Sequence, residues 1–384
     1  MEKIRLGIIG IGNMGSEHCR LILSGQTPEI ALTCVADPRQ DRRDWAQQTL
    51  PAGTGIYDDG MSLIRAHACD AVLIATPHEL HPPLAEAALR AGLHVLSEKP
   101  AGVYTAQLHP VIAAAQETGR TYALMFNQRT NCVYRRLKAL LDSGELGALK
   151  RVTWVVTDWY RSQAYYDSGA WRATWDGEGG GVLLNQCPHQ LDLLQWLCGL
   201  PVRVRAACHE GKWHDIEVED DVTAYLEFAN GATGTFIAST GDALGENRLE
   251  IIGTRARIRI ENDQLTLDTL GVDERDWCPV CKEPFGVPDI QHEIVQTDGE
   301  NPQHAGVLNA FAAHILHGTP LVADGREGIR GLMLSNAMHL SSWTNQTVSL
   351  PIDEELFLKL LNEKRRTSRH KDEVDAAIDV SGSF

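Results

Sequence analysis

Apolar residues at 4, 6, 8 and 9 open the chain as a short strand, and the run from Ser16 to Leu23 then reads as a helix. The alternation continues. Ala31–Ala36 is strand-like, Asp41–Leu50 helical, Ile56-Tyr57 a strand fragment and Met61–Ala66 a short helix. Asp70–Ala75 is almost continuously apolar, as a strand buried on both faces requires. Leu80–Ala91 reads as a helix closed by Gly92, Leu93–Ser97 as a strand, and Thr105–Glu117 as a helix stopped by Gly119. Thr121–Phe126 is the sixth strand. Six strands with helices between them predict an α/β Rossmann domain, a doubly wound parallel sheet whose ligand crevice lies at the carboxyl ends of the strands.

From residue 127 the pattern changes. Val133–Leu141 predicts a helix and Leu149–Trp159 a strand. A loop rich in aromatic residues and arginine follows, with Arg161, Tyr165, Tyr166, Trp171 and Arg172. Gly179-Gly180-Gly181 then leads into an expected helix, Val182–Cys198. Six strand-like runs come next without intervening helices, and turns at Asn230-Gly231 and Asn262-Asp263 suit hairpins. This predicts a second, α+β domain with a large open, mainly antiparallel sheet. Ala305–His317, Glu327–Thr344 and Glu354–Lys364 read as helices, and Arg365–Phe384 as a polar, frayed end. The expected division is 1–126, 127–355 and a helix with a polar tail over 356–384.

A length of 384 residues agrees with two domains. A formal charge of −16 argues against nucleic-acid partners and anionic membrane surfaces. No apolar run approaches the roughly 18 residues that span a bilayer. Nine scattered cysteines and no signal-peptide pattern predict a cytoplasmic protein with reduced thiols. Cys278-Pro-Val-Cys281 has ligand-like spacing but no second pair, so it reads as a loop, and no metal is expected.

Chemistry concentrates at three places. Gly10-Ile-Gly12-Asn13-Met14-Gly15 lies between strand and helix, the context a dinucleotide fingerprint needs, and Asp37 follows Gly15 by 22 residues at the end of the second strand. A carboxylate there accepts from a ribose and repels a 2′-phosphate, so NAD is favoured; Arg39, Arg42 and Arg43 keep NADP open. The alternative is a glycine turn without a nucleotide. The fourth and fifth strands end in Thr76-Pro77-His78-Glu-Leu-His81 and Ser-Glu98-Lys99-Pro100, both aimed at the cofactor crevice. On the expected 182–198 helix, Asn185, His189, Asp192 and Trp196 share one face. His189 is a candidate base that Asp192 could orient, and Lys99 a cation to stabilise an alkoxide. A capping asparagine and a hydrogen-bonded structural histidine would explain the same helix. Arg161, Tyr165, Tyr166, Trp171 and Arg172 offer stacking faces and donors suited to a sugar ring, with Arg172 also a candidate for the cofactor, though either arginine could be a surface ion-pair partner.

Together these residues resemble the glucose-fructose oxidoreductase, inositol dehydrogenase and rhizopine-catabolism protein family from residue 1 to about residue 355. The resemblance is carried by the glycine motif, Ala75-Thr76-Pro77 with His81, Gly92 through Glu98-Lys99-Pro100, Asn127-Gln128-Arg129, and Gly179 through His189 and Asp192. It implies an oxidoreductase acting on sugars or cyclitols with NAD or NADP, Lys99 and His189 as catalytic residues, and His81, Glu98 and Gln128 near the nicotinamide. It also implies a homo-oligomer, dimer or tetramer, built through the second sheet. Many members carry aspartate four residues before the histidine, where this chain has Asn185, which can bind a hydroxyl but cannot relay a proton. The segment Asn185-Gln-Cys-Pro-His189-Gln-Leu-Asp192 is similar to a branch of glycoside and sugar 3-dehydrogenases, implying oxidation at C3 of a glucopyranoside. A cyclitol dehydrogenase and a non-catalytic NAD-sensing regulator are the other expectations.

Overall fold

The computed structural model describes residues 3–369 and Lys371. Six parallel strands, β1 (Ile4–Ile9), β2 (Ile30–Ala36), β3 (Gly55–Tyr57), β4 (Ala71–Ile74), β5 (His94–Ser97) and β6 (Tyr122–Leu124), form a sheet in the order β3-β2-β1-β4-β5-β6. Between them run α1 (Asn13–Leu23), α2 (Gln40–Thr49), α3 (Gly60–Ala66), α4 (His81–Arg90) and α5 (Leu108–Thr118). All four residues of β4 are buried, so its unbroken apolar run reflects cover on both faces. The strand order reverses between β1 and β4, which leaves a crevice at their carboxyl ends.

The second half comprises α6 (Cys132–Asp142), β7 (Leu149–Val156), α7 (Gln163–Asp167), α8 (Pro188–Cys198), β8 (Arg203–Glu210), β9 (Glu219–Glu227), β10 (Thr233–Ser239), β11 (Asn247–Gly253), β12 (Ala256–Glu261), β13 (Gln264–Leu270), α9 (Glu274–Trp277), β14 (Ile290–Ile294), α10 (Gln303–His317), α11 (Gly328–Thr344), β15 (Val348–Ser349) and α12 (Glu354–Arg365). Its nine strands run in the order β14-β13-β12-β11-β7-β10-β9-β8-β15, with β7 and β10 parallel and the other neighbours antiparallel. Alternation sets the faces. Val222, Ala224 and Leu226 of β9 point into the core, with α8 and α11 on that side, while Thr223 and Tyr225 face outward.

Two features depart from the sequence reading, and a third adds to it. The helix expected from Val182 begins at Pro188 instead. Proline inside that helix would have cost about 3 kcal/mol, whereas at its first turn the missing N–H costs nothing. Residues 182–186 form turns, with the Asn185 N–H donating to Gly181 O at 2.9 Å. The division at residue 126 is also crossed in space, because α10 returns to the first sheet: Val307, Leu308, Phe311 and Ala312 pack in one core with Leu6, Ile8, Leu96 and Met125. The end of the chain, read as frayed, is anchored as far as it is described. The Arg369 N–H donates to Glu217 at 2.7 Å, its guanidinium pairs with Asp215 at 2.6 Å, and Lys371 Nζ donates to the Arg172 carbonyl at 3.1 Å. His370 and residues 372–384 lie outside the described residues. Among the described residues no helix is long and apolar enough to cross a membrane.

Candidate active site

The glycine turn between β1 and α1 is built for close backbone approach. Gly10 has φ +86°, and a Cβ there would sit 2.6 Å from the Ala75 carbonyl oxygen. A Cβ on Gly15 would fall 1.8 Å from Gly10 O, so strand and helix could not close together. Gly12 faces open space instead. No side chain caps the α1 N-terminus at Asn13 and Met14, leaving its first N–H groups for an anion. Asp37 is buried at the end of β2, where Oδ2 accepts from Ile11 N–H at 2.9 Å and Oδ1 from Arg39 N–H at 3.0 Å. The three neighbouring arginines are engaged locally: Arg39 with Asp41, Arg42 with Ile11 O at 2.8 Å, and Arg43 with Asp37 O at 2.8 Å. An open glycine, an uncapped helix and a ribose-ready carboxylate fit an NAD, and Thr76 Oγ1 is buried near the crevice with no partner among the described residues.

The ends of β4 and β5 are tied to each other. His81 Nδ1 lies 2.8 Å from Pro100 O and its Nε2 lies 2.7 Å from Thr76 O, so one ring spans both strand ends. Pro77 precedes a single turn that seats His78, whose buried Nδ1 lies 3.4 Å from Glu178 O. Burial pushes the His78 pKa well down. Glu98 is buried against His18, with 2.7 Å between Oε1 and Nε2, and its Oε2 accepts the Lys99 N–H at 3.1 Å. Burial alone would raise this carboxyl, but the His18 contact outweighs it and holds the pKa at about 2. Lys99, half-buried, extends Nζ across to the Asn185 carbonyl at 3.1 Å. Burial pushes its pKa below the ordinary lysine value. Gln128 lies on a turn after β6 and donates to Gln303 at 3.5 Å, so α10 supports this edge.

His189 occupies the first turn of α8, edge-on to Phe126 with ring centroids 6.1 Å apart. Its Nδ1 is buried and has no hydrogen-bond partner among the described residues. Burial and the Lys99 charge push its pKa to about 3, so the ring is neutral near pH 7.

Two residues assigned to the substrate lie elsewhere. Asp192 neither orients His189 nor faces the crevice. It is buried, with Oδ2 accepting from Arg129 Nε at 2.8 Å and Oδ1 from Arg129 Nη2 at 2.7 Å and from Gln195 at 3.0 Å. Tyr166 is buried too, its hydroxyl 2.7 Å from Thr240 Oγ1. The expected stripe is broken as well, because Asn185 precedes the helix.

Tyr165, Arg161, Trp171 and Arg172 do converge. Both guanidiniums stack on the Tyr165 ring, at 5.0 and 4.5 Å, and Arg172 Nη1 donates to its hydroxyl at 2.8 Å. Trp171 stands edge-on to His78 at 5.8 Å, which places this cluster beside the end of β4.

Sequence reasoning passed over Glu178 and Glu219. Glu178 directly precedes the triple glycine, and that motif was the available signal. A Cβ on Gly179 would meet Val103 at 2.4 Å, and one on Gly181 would meet Glu219 O at 2.0 Å. The buried Glu219 carboxylate accepts from Gly181 N–H at 2.9 Å and Leu183 N–H at 3.0 Å. The glycines therefore serve close packing that brings Glu178 and Asn185 to Lys99. Cys278 is exposed, and Cys281 Sγ faces Glu283 O at 3.5 Å. Among the described residues no group of three or more His, Cys, Asp or Glu side chains is placed to hold a metal.

Comparison with known proteins places this geometry. Residues 4–126 match the model of an oxidoreductase family with an NAD-binding Rossmann fold, and residues 134–259 match the GFO/IDH/MocA C-terminal domain. The uncharacterized oxidoreductase YdgJ of Escherichia coli is 32% identical over 204 residues, a stretch covering 52% of this chain and only 55% of that protein. The myo-inositol 2-dehydrogenase of Thermotoga maritima is 24% identical over 357 residues, 90% of this chain and 98% of that one. Among solved structures, the WlbA dehydrogenase of Bordetella pertussis, in complex with NADH and UDP-GlcNAcA, has a TM-score of 0.77 at 25% identity, covering 92% of this chain and all of that one.

Proposed function

The chain belongs to the GFO/IDH/MocA oxidoreductase family, with an NAD-binding Rossmann domain, and from that premise we propose an NAD-dependent dehydrogenase that oxidises a ring hydroxyl of a sugar or glycoside, C3 of a glucoside, to a ketone. The observation that carries the proposal is Lys99 at the carboxyl end of β5 together with a neutral His189 whose Nδ1 has no partner among the described residues. Bound NAD would supply the hydride acceptor for the carbinol carbon. The glycine turn, the α1 N-terminus and Asp37 would hold it. Lys99, as an ammonium, donates to the hydroxyl oxygen and stabilises the charge that develops there. His189, neutral, takes the hydroxyl proton. The Tyr165, Trp171, Arg161 and Arg172 cluster supplies stacking faces and donors for a pyranose. The segment from Asn185 to Asp192 supports the glycoside reading.

A cyclitol substrate is the second reading, favoured by the full-length match to a relative named myo-inositol 2-dehydrogenase. A panel of glucosides, free sugars and inositols, followed by absorbance of the reduced cofactor, separates the two; turnover of inositols alone would remove the glycoside reading. Lys99→Ala and His189→Ala should each lower kcat by roughly 10²–10⁴-fold while NAD binding persists. Full activity in either variant would refute the assignment. A reducing cytoplasm suits nine unpaired cysteines, and the outward face of the second sheet suits association between copies. A monomeric mass by light scattering would remove the latter.

A further inference from the structure

We infer that Glu178 is the positioning carboxylate of this site, fixing Asn185 and keeping Lys99 an ammonium. The inference deepens the proposed dehydrogenase reading and rests on it. Glu178 is 2% exposed, on the loop ahead of the triple glycine, and no step above uses it. Its Oε2 accepts Ala173 N–H at 2.6 Å and its Oε1 accepts the Asn185 side-chain amide. The Asn185 carbonyl in turn accepts Lys99 Nζ at 3.1 Å. Residue 185 thus bridges the two charges, its main-chain carbonyl accepting from the ammonium and its side-chain amide donating to the carboxylate. Burial pushes the Glu178 pKa up, and the N–H donors facing both carboxylate oxygens together with Arg172 oppose that by favouring the ionised form.

Charge explains why the bridge takes this form. Lys99 is surrounded by cationic or protonatable groups: Arg161 and Arg172 from the loop, and His78, His81, His189 and His304. Two carboxylates oppose them, Glu98 and Glu178. Glu98 is already committed to His18 and to the Lys99 backbone, which leaves Glu178 as the carboxylate on the substrate side. Glu178 itself faces Lys99, Arg172, Tyr166, Glu219 and the His78 ring. An aspartate at 185 would press a second carboxylate against it, and like charges in contact cannot both ionise near neutral pH. Asparagine at 185 and glutamate at 178 therefore belong together. The negative charge expected on the turn before α8 has moved to the loop, and the amide is its donor.

The test reads the Lys99 protonation directly. Reductive methylation with ¹³C followed by NMR titration, with Lys99→Arg to assign the resonance, gives the Lys99 pKa without turnover. Glu178→Gln should lower it by about one unit, a tenfold change in proton affinity, and Glu178→Gln with Asn185→Asp should bring it back. The alkaline limb of kcat should move by the same amount in each. An unmoved pKa in a folded Glu178→Gln protein overturns the inference. Should that variant not fold, Asn185→Asp alone decides: the Lys99 resonance should gain a second inflection between roughly pH 5 and 8 as the paired carboxylates release their shared proton. A single inflection overturns it. A wild-type enzyme that turns over nothing in the sugar and cyclitol panel defeats the functional reading alone, since the NMR shift does not depend on turnover.

Discussion

Asp192→Asn separates a structural carboxylate from a substrate-binding one. Asp192 and Arg129 expose 1% and 3% of their side chains, and three N–H donors converge on the carboxylate. Complete removal of one partner of such a buried pair costs about 3–5 kcal/mol. Asparagine keeps one oxygen for Arg129 and Gln195 but loses the charge and one charged hydrogen bond, worth about 1.5–3 kcal/mol. Arg129 retains a second carboxylate, Glu327, which is 33% exposed and compensates only in part. The net expectation is a loss of about 2–3 kcal/mol. With an unfolding entropy near 2.1 cal/mol/K per residue, a cooperatively unfolding chain of this size should melt about 3–4 °C lower. Thermal unfolding followed by circular dichroism measures this, with KM and kcat from the preferred sugar alongside. A lowered Tm with near-normal KM is expected. An unchanged Tm together with a tenfold rise in sugar KM would show that Asp192 touches the substrate and that the Arg129 pairing does not hold it.

Cofactor choice should follow Asp37. Asp37→Ser removes the repulsion toward a 2′-phosphate and should raise the NADP-to-NAD preference by about tenfold or more, roughly 1.4 kcal/mol; a wild-type enzyme that already prefers NADP in paired KM measurements would refute this. His189 should weaken the fold in acid. Its folded pKa of about 3 lies below the unfolded value of about 6.5, so the unfolded chain takes up the proton first and stability falls as pH drops from about 6.5 toward 3. His189→Asn should flatten that fall in urea midpoints taken across the window, and an unchanged slope would contradict the assignment. Ending the chain after Arg366 removes the Ser368, Arg369 and Lys371 contacts to Glu217, Asp215 and the carbonyls of Tyr166 and Arg172. The sugar KM should rise roughly five- to tenfold, about 1–1.4 kcal/mol of loop ordering, with NAD affinity unchanged; equal losses in both would point to general unfolding instead.

The first sheet was legible because its signals are local. The apolar run of β4 reports burial on both faces, and the glycines report positive φ or close approach within a dozen residues of chain. The second sheet was legible in class, since successive strands with hairpin turns leave little alternative, but β14 was not. Its five residues are all exposed, so no hydrophobic alternation marked it. The start of α8 was misread because Val182 to Cys187 carries apolar residues that suit a helix. Those residues fill the core beside β9, while Pro188 decides where the helix begins. The return of α10 to the first core was invisible for another reason: amphipathic spacing shows that a face is buried, not what buries it.

The site divides along the same line. The proposed cofactor half is made by consecutive residues at strand ends, so Gly10, Asp37, Thr76 and Lys99 could be placed by counting along the chain. The substrate half is made by distant pieces. Asp192 sits one helical turn from His189, and sequence spacing alone made it the natural partner for that ring. Arg129, 63 residues away, takes it instead, because a buried carboxylate goes to the donor that can satisfy both oxygens. Tyr166 follows its neighbour Tyr165 in the same loop, yet consecutive positions on a short helix point apart, and one meets Thr240 in the core while the other meets Arg172. Glu178 shows the converse. Nothing in its own spacing marked it, and only the need to pack Gly179 against Val103 and Gly181 against Glu219 brings it to Asn185. A motif of small residues therefore signals that some larger side chain nearby is being carried to a place it could not otherwise reach. In this chain that side chain is a carboxylate.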